Sequence, residues 1–160
     1  RGQIQKTVGT LKELMTKPQP DLSPQYQSFS HELGVLEDRI GQALQQRTAT
    51  ETVVKDQFMA WDENLSQLKN EESRQQAALR RSDTDASYSD INQKIAELRK
   101  EATPFMTDLK DIRQYLKGDL SKEGLETMEP TAERTFNREA FVIKRLDDVI
   151  EALNKAMKRN

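Results

Sequence analysis

Between Tyr88 and Leu116 the apolar side chains fall at Tyr88, Ile91, Ile95, Leu98, Ala102, Phe105, Leu109, Ile112 and Leu116, in steps of three and four that never slip. A period near 3.5 gathers all of them on one stripe of a helix, which predicts a helix over about 88–117. Pro104 lies inside this run. An interior proline costs about 3 kcal/mol and bends a helix, but the register continues across it, so a kink is expected rather than an end. Lys117-Gly118 reads as the close, with a basic last turn and a glycine at the C′ position.

The same periodicity predicts three further helices. Ile4, Val8, Leu11 and Met15 mark a short one over about 3–16, ended by Pro18, Pro20 and Pro24. Ser23-Pro24 then reads as a helix start, serine as cap and proline in the first turn. The stripe Tyr26, Phe29, Leu33, Leu36, Ile40 and Ala43 is followed by Val54, Phe58, Trp61, Leu65 and Leu68. Between them the positions at Arg47 and Thr50 are polar, and the four-residue step from Val54 to Phe58 is a stutter that loosens a coiled coil. This second helix ends near residue 70 or runs on to Arg81. The longer version is adopted here, a helix over about 24–80, roughly 85 Å long at 1.5 Å per residue. Ser82 to Ser87 is rich in residues that bond their own backbone and reads as the next turn, with Ser87 and Asp90 as a capping box. Leu125, Met128, Ala132, Val142, Leu146, Val149, Leu153 and Met157, flanked by Phe136, Ile143 and Ile150, predict a last helix over about 122–158, kinked or restarted at Pro130. Short connections set the three long helices antiparallel, and the first folds back along the beginning of the second. The expected fold is all-α, one elongated antiparallel helical bundle or coiled coil over residues 1–160.

Composition agrees with that shape. Hydrophobic residues are 34% of the chain and charged residues 32%, with mean hydropathy −0.88. So polar a chain supports narrow stripes rather than a wide core, and a sustained heptad register argues against disorder. The net charge of −2 gives no basic excess for nucleic acid, so none is expected as a partner. There is no cysteine, which excludes disulfides and thiolate chemistry. The chain starts at Arg1 without methionine, so an upstream segment removed by processing is expected.

No motif carries chemistry. His31 is the single histidine, short of the two that a di-iron bundle or a zincin needs, and reads as a surface residue. Glu71-Glu72 and Asp147-Asp148 are neighbours on helices, where adjacent side chains point about 100° apart, so they read as solvated. No glycine-rich phosphate loop is present. The expectation is a non-enzyme with no catalytic residue, metal or cofactor. Basic clusters at Arg80-Arg81, Arg99-Lys100, Lys144-Arg145 and Lys155 to Arg159 have acids close by, as on any solvated helix face. Gly34 and Gly41 stand seven apart, where they are tolerated or permit a close helix approach. Phe58, Trp61 and Tyr115 are the candidate contact residues for a partner protein, with core packing the preferred reading because Phe58 and Trp61 sit on stripe positions.

The runs Phe58-Met59-Ala60-Trp61-Asp62-Glu63-Asn64-Leu65, Leu79-Arg80-Arg81, Thr103-Pro104-Phe105-Met106-Thr107-Asp108-Leu109-Lys110-Asp111 and Tyr115-Leu116-Lys117 with Leu120 resemble an uncharacterised bacterial helical family, domain of unknown function number twenty-nine fifty-nine. The resemblance covers roughly residues 33 to 155. It implies an N-terminal export or lipoprotein signal, and with it a periplasmic or outer-membrane-associated protein; without that signal the chain would be cytoplasmic. It brings no catalytic residues. The function expected from all this is a helical scaffold or adaptor of the cell envelope acting through helix–helix contacts with an unknown partner. The alternative is a bundle that contacts anionic lipid at a membrane surface, or a membrane link through a removed lipid anchor.

Overall fold

The computed structural model describes residues 1–159 as four helices: α1 (Gly2–Thr16), α2 (Ser23–Gln67), α3 (Glu71–Gly118) and α4 (Lys122–Arg159). The all-α antiparallel bundle read from the heptads is the architecture found, with a short first helix and three long ones. One boundary differs. The helix expected over 24–80 stops at Gln67, and the segment expected to turn, Ser82 to Ser87, lies inside α3. Asn70 makes the break: its side-chain oxygen accepts the Ser73 backbone N–H at 2.9 Å, with Glu71 and Glu72 favourably placed in the first turn. The hydroxyls that suggested a turn are spent inside the helix, where Thr84 Oγ1 donates to the Arg80 carbonyl and Ser87 Oγ to the Asp83 carbonyl, both at 2.9 Å. The two long helices therefore hold 45 and 48 residues, roughly 68 and 72 Å. α2 is continuous through residues 47–52.

The other ends are set by polar groups near the turns. Ser23 is the first residue of α2 rather than its cap; Leu22 holds the cap position without a side-chain bond, and the Asp21 carboxylate before it accepts the Ser23 N–H at 2.9 Å. Gln25 holds the α1–α2 loop by donating to the Glu13 and Lys17 carbonyls at 3.2 and 3.0 Å. α3 includes Gly118, which keeps a negative φ rather than the left-handed C′ geometry. Ser121 Oγ accepts the Gly124 N–H at 3.0 Å to start α4. Gly124 packs against the Asp119 carbonyl so closely that a Cβ would lie 2.2 Å from that oxygen. Pro104 and Pro130 both lie inside continuous helices, α3 and α4.

The core is concentrated at one end. Ile4, Val8, Leu11 and Leu14 of α1, Phe29, Leu33 and Leu36 of α2, Phe105, Leu109, Ile112 and Leu116 of α3, and Leu125, Ala132 and Val142 of α4 form one buried cluster. Here four helices surround the seam, and fully burying such side chains is worth about 1.5–3 kcal/mol each. Beyond the start of α1 only three helices remain. The α3 stripe records the change: Phe105, Leu109, Ile112 and Leu116 are sealed, whereas Tyr88, Ile91, Ile95, Leu98 and Ala102 are half-buried. Past the end of α4, the last turns of α2 and the first turns of α3 form a two-helix arm.

Candidate interaction surface

Cross-links fix the antiparallel register of the long helices. Arg113 Nη1 and Nη2 on α3 donate to the two Glu37 carboxylate oxygens on α2 at 2.7 and 3.1 Å. Further along the same pair, the Phe58 and Tyr88 rings meet edge to face at 6.3 Å between centroids. Arg81 then lies over Phe58, 4.0 Å from the ring centre, and grips Asp62 through two hydrogen bonds of 3.0 and 3.2 Å. Charge, π-face and carboxylate together hold the arm shut where few apolar groups are available. α4 is tied to α3 by Arg134–Asp108 at 3.0 Å and Arg145–Glu97 at 2.9 Å.

α1 is pinned by a buried polar knot that the heptad reading missed. Gln3 Nε2 donates to the Glu32 carbonyl and carboxylate at 3.0 and 2.8 Å, and Thr7 Oγ1 donates to the Gln3 and Glu32 carbonyls at 2.9 and 3.0 Å. Lys6 completes it, 2.9 Å from the second Glu32 oxygen. The Lys6 ammonium, then the Gln3 amide, hold the Glu32 carboxyl below the ordinary range despite burial. The signal was present in the sequence as Gln3 and Thr7 one turn apart on the apolar face. At the other end of α1, Glu139 on α4 is pushed upward by burial, only partly offset by Lys12.

His31 is exposed, Glu71 pairs with Arg74, and Asp148 binds Lys144 and Arg145. Among the described residues no group of three or more His, Asp or Glu side chains is placed to hold a metal ion. One open groove, about 370 Å³, lies between α2 and α3 at the base of the arm and is lined by Val54, Phe58, Asp62, Arg81 and Tyr88 among others. Another, about 240 Å³, has a floor of small residues, Ala86, Ala152 and Ala156, where α4 ends against α3. No helix of the described residues is long and apolar enough to cross a membrane. In the basic cluster Lys155 to Arg159, the side chain of Arg159 lies outside the described set.

The structure separates the three candidate contact residues. Phe58 and Trp61 are half-buried on α2 at the base of the arm, whereas Tyr115, 38% exposed, stands near the core end of α3. Tyr88, the partner of Phe58, and Tyr115 are 27 residues apart on α3, roughly 40 Å. They cannot form one patch. Exposed apolar groups lie on α2 at Ile40, Leu44, Val53 and Met59, on the α2–α3 hairpin at Leu68 and Leu79, and on α4 at Phe141, Leu153 and Met157.

No curated protein and no solved structure matches the chain. The likeness read from the aromatic and proline-centred motifs holds along more of the sequence than those motifs span, and the chain belongs to the family described as "Protein of unknown function (DUF2959)", whose model matches residues 1–159.

Proposed function

We propose that the protein is a non-enzymatic helical scaffold of the bacterial cell envelope, which presents its two-helix arm to a partner protein. One observation carries the reading: four helices are packed into a sealed core at one end, while the α2–α3 hairpin runs on past the ends of α1 and α4 and keeps Leu68 and Leu79 exposed, Leu79 to 62%. Apolar groups on a thin, polar hairpin contribute little to its own stability and suit a helix-on-helix contact. The export or lipoprotein signal that the family resemblance implies is what supports the envelope location.

The test is photo-crosslinking in cells from a reactive amino acid placed at residue 79, with residue 126 on α4 as control. A discrete product from 79 and none from 126, in the envelope fraction, is the expected result. No product from the tip, or a protein confined to the cytosol, contradicts it. The lipid reading rests on Leu153 and Met157, exposed beside Lys155 and Lys158 near the end of α4. Salt-sensitive binding to vesicles containing anionic lipid would favour it over the scaffold.

A further inference from the structure

From Asp38 to Gln46 every residue of α2 is exposed. For roughly two and a half turns the helix is supported on no face. It has passed the start of α1, and among the described residues it packs on α1 and α3 alone. Ile40 and Leu44 sit on the stripe turned to α3, yet they remain 37% and 45% exposed. Gly41 stands in the middle of this span with nothing within 4 Å of where a Cβ would be. No packing requires its small size, and it loosens the helix where the helix is already unsupported. Just beyond, the Thr48, Thr50 and Thr52 hydroxyls donate back to the carbonyls of Leu44, Gln46 and Thr48 at 3.1, 2.9 and 3.3 Å, a bond that bends helices.

Further on, α2 lies against α3 again through Val54, Phe58, Trp61 and Leu65, all half-buried. No α2 side chain beyond Leu36 is fully buried. The seam is held by one cluster, in which Arg81 covers the Phe58 ring and binds Asp62 while Tyr88 meets the same ring edge-on. Beside that cluster the seam stands open as the groove of about 370 Å³. From this we infer that residues 47–67 of α2 form a lid on α3, hinged at 38–46 around Gly41 and latched by Arg81 to Phe58 and Asp62. A few residues that absorb the backbone change are what a hinge needs. The turn at 68–70 tethers the far end of the lid, and unwinding of the hinge supplies slack, because an extended residue spans about 3.3 Å and a helical one 1.5 Å. Opening uncovers Val54, Phe58 and Trp61 on the lid and Tyr88 and Ile91 on α3, and it leaves the sealed core and the α3–α4 seam in place. Asp62 is 57% exposed, so salt screens the charged part of the latch. The opening is a property of the chain alone, so it stands or falls apart from the partner contact proposed at the tip.

The experiment places spin labels at Thr52→Cys on the lid and Gln93→Cys on α3, both exposed, in the full chain diluted with unlabelled protein. At low salt the expected result is one dominant short distance, set by a helix–helix spacing of ~10 Å. Arg81→Gln should add a second, longer distance and raise its population about tenfold. Molar salt on the otherwise unchanged chain should move the distribution in the same direction, a test that needs no latch variant to fold. Gly41→Ala stiffens the hinge and should shrink the longer population, whereas Gly34→Ala, also without a neighbour within 4 Å but beside the sealed core, should leave it unaltered. A single short distance in the latch variant and at high salt overturns the inference, as does a longer population that Gly34→Ala suppresses as strongly as Gly41→Ala.

Discussion

Arg113 on α3 holds both carboxylate oxygens of Glu37 on α2, while its own backbone carbonyl accepts the Tyr26 hydroxyl at 3.1 Å. One residue thus joins α2 at two successive faces of the sealed core. Both side chains are less than a third exposed, and Lys110 adds a longer contact of 3.4 Å to the same carboxylate. Arg113→Ala is expected to cost about 1–3 kcal/mol in urea unfolding. Arg113→Lys should recover only part, because a point ammonium cannot reproduce the two-pronged contact.

The same pair sets a pH dependence. The Arg113 guanidinium holds the Glu37 carboxyl below the ordinary range, and Lys6 does so for Glu32. A carboxyl depressed in the folded state adds stability that is complete above its unfolded value, about 4.3, and is lost as pH falls through the folded value. Glu139 works in the opposite sense. Burial raises it, so the folded chain carries a penalty at neutral pH that disappears once the group is protonated in both states. Glu139→Gln should therefore raise the melting temperature at neutral pH and leave it unchanged well below pH 4.3. An equal shift at both would refute the assignment.

Gly124→Ala reverses the usual rule. Alanine ordinarily stabilises a helix interior by about 1 kcal/mol over glycine. Here the added Cβ would meet the Asp119 carbonyl oxygen at 2.2 Å, backbone that cannot swing aside. The variant is expected to lower the melting temperature, whereas Gly9→Ala on α1, where nothing lies within 4 Å, should raise it.

Asn70→Ala removes the cap of α3. The expected cost is about 0.5–2 kcal/mol, felt locally because the arm has two helices and no fully buried side chain. Hydrogen exchange should quicken at residues 71–80 and remain slow at 105–116.

Most of the architecture was legible because heptad spacing survives wherever a stripe meets a partner. α1 and α4 end within a residue or so of their expected limits, and Ile112 and Leu116 are as buried as their positions implied. The α2–α3 turn was misplaced for a physical reason. Thr84 and Ser87 have the composition of a turn, but once flanked by Arg81 and Tyr88 on a packed face their hydroxyls bond backward along the helix. Asn70 with acids after it was a clear helix start, hidden by the polar run that follows. Tyr115 shared residue type with Phe58 and Trp61 but not location; periodicity assigns a face, and only the register between helices assigns a height along the bundle. The Glu32 knot escaped because a buried glutamate looks like any surface glutamate until its donors are seen.

The central claim is that the chain reverses at residues 68–70, pairing Asp62 with Arg81. The protein lacks cysteine, so spin labels on Glu63→Cys and Arg80→Cys, diluted with unlabelled chain, report a single distance within one molecule. The fold places those backbones about one helix–helix spacing apart, ~10 Å. A continuous helix through residue 80 would separate them by about 26 Å, and that distance would contradict the account.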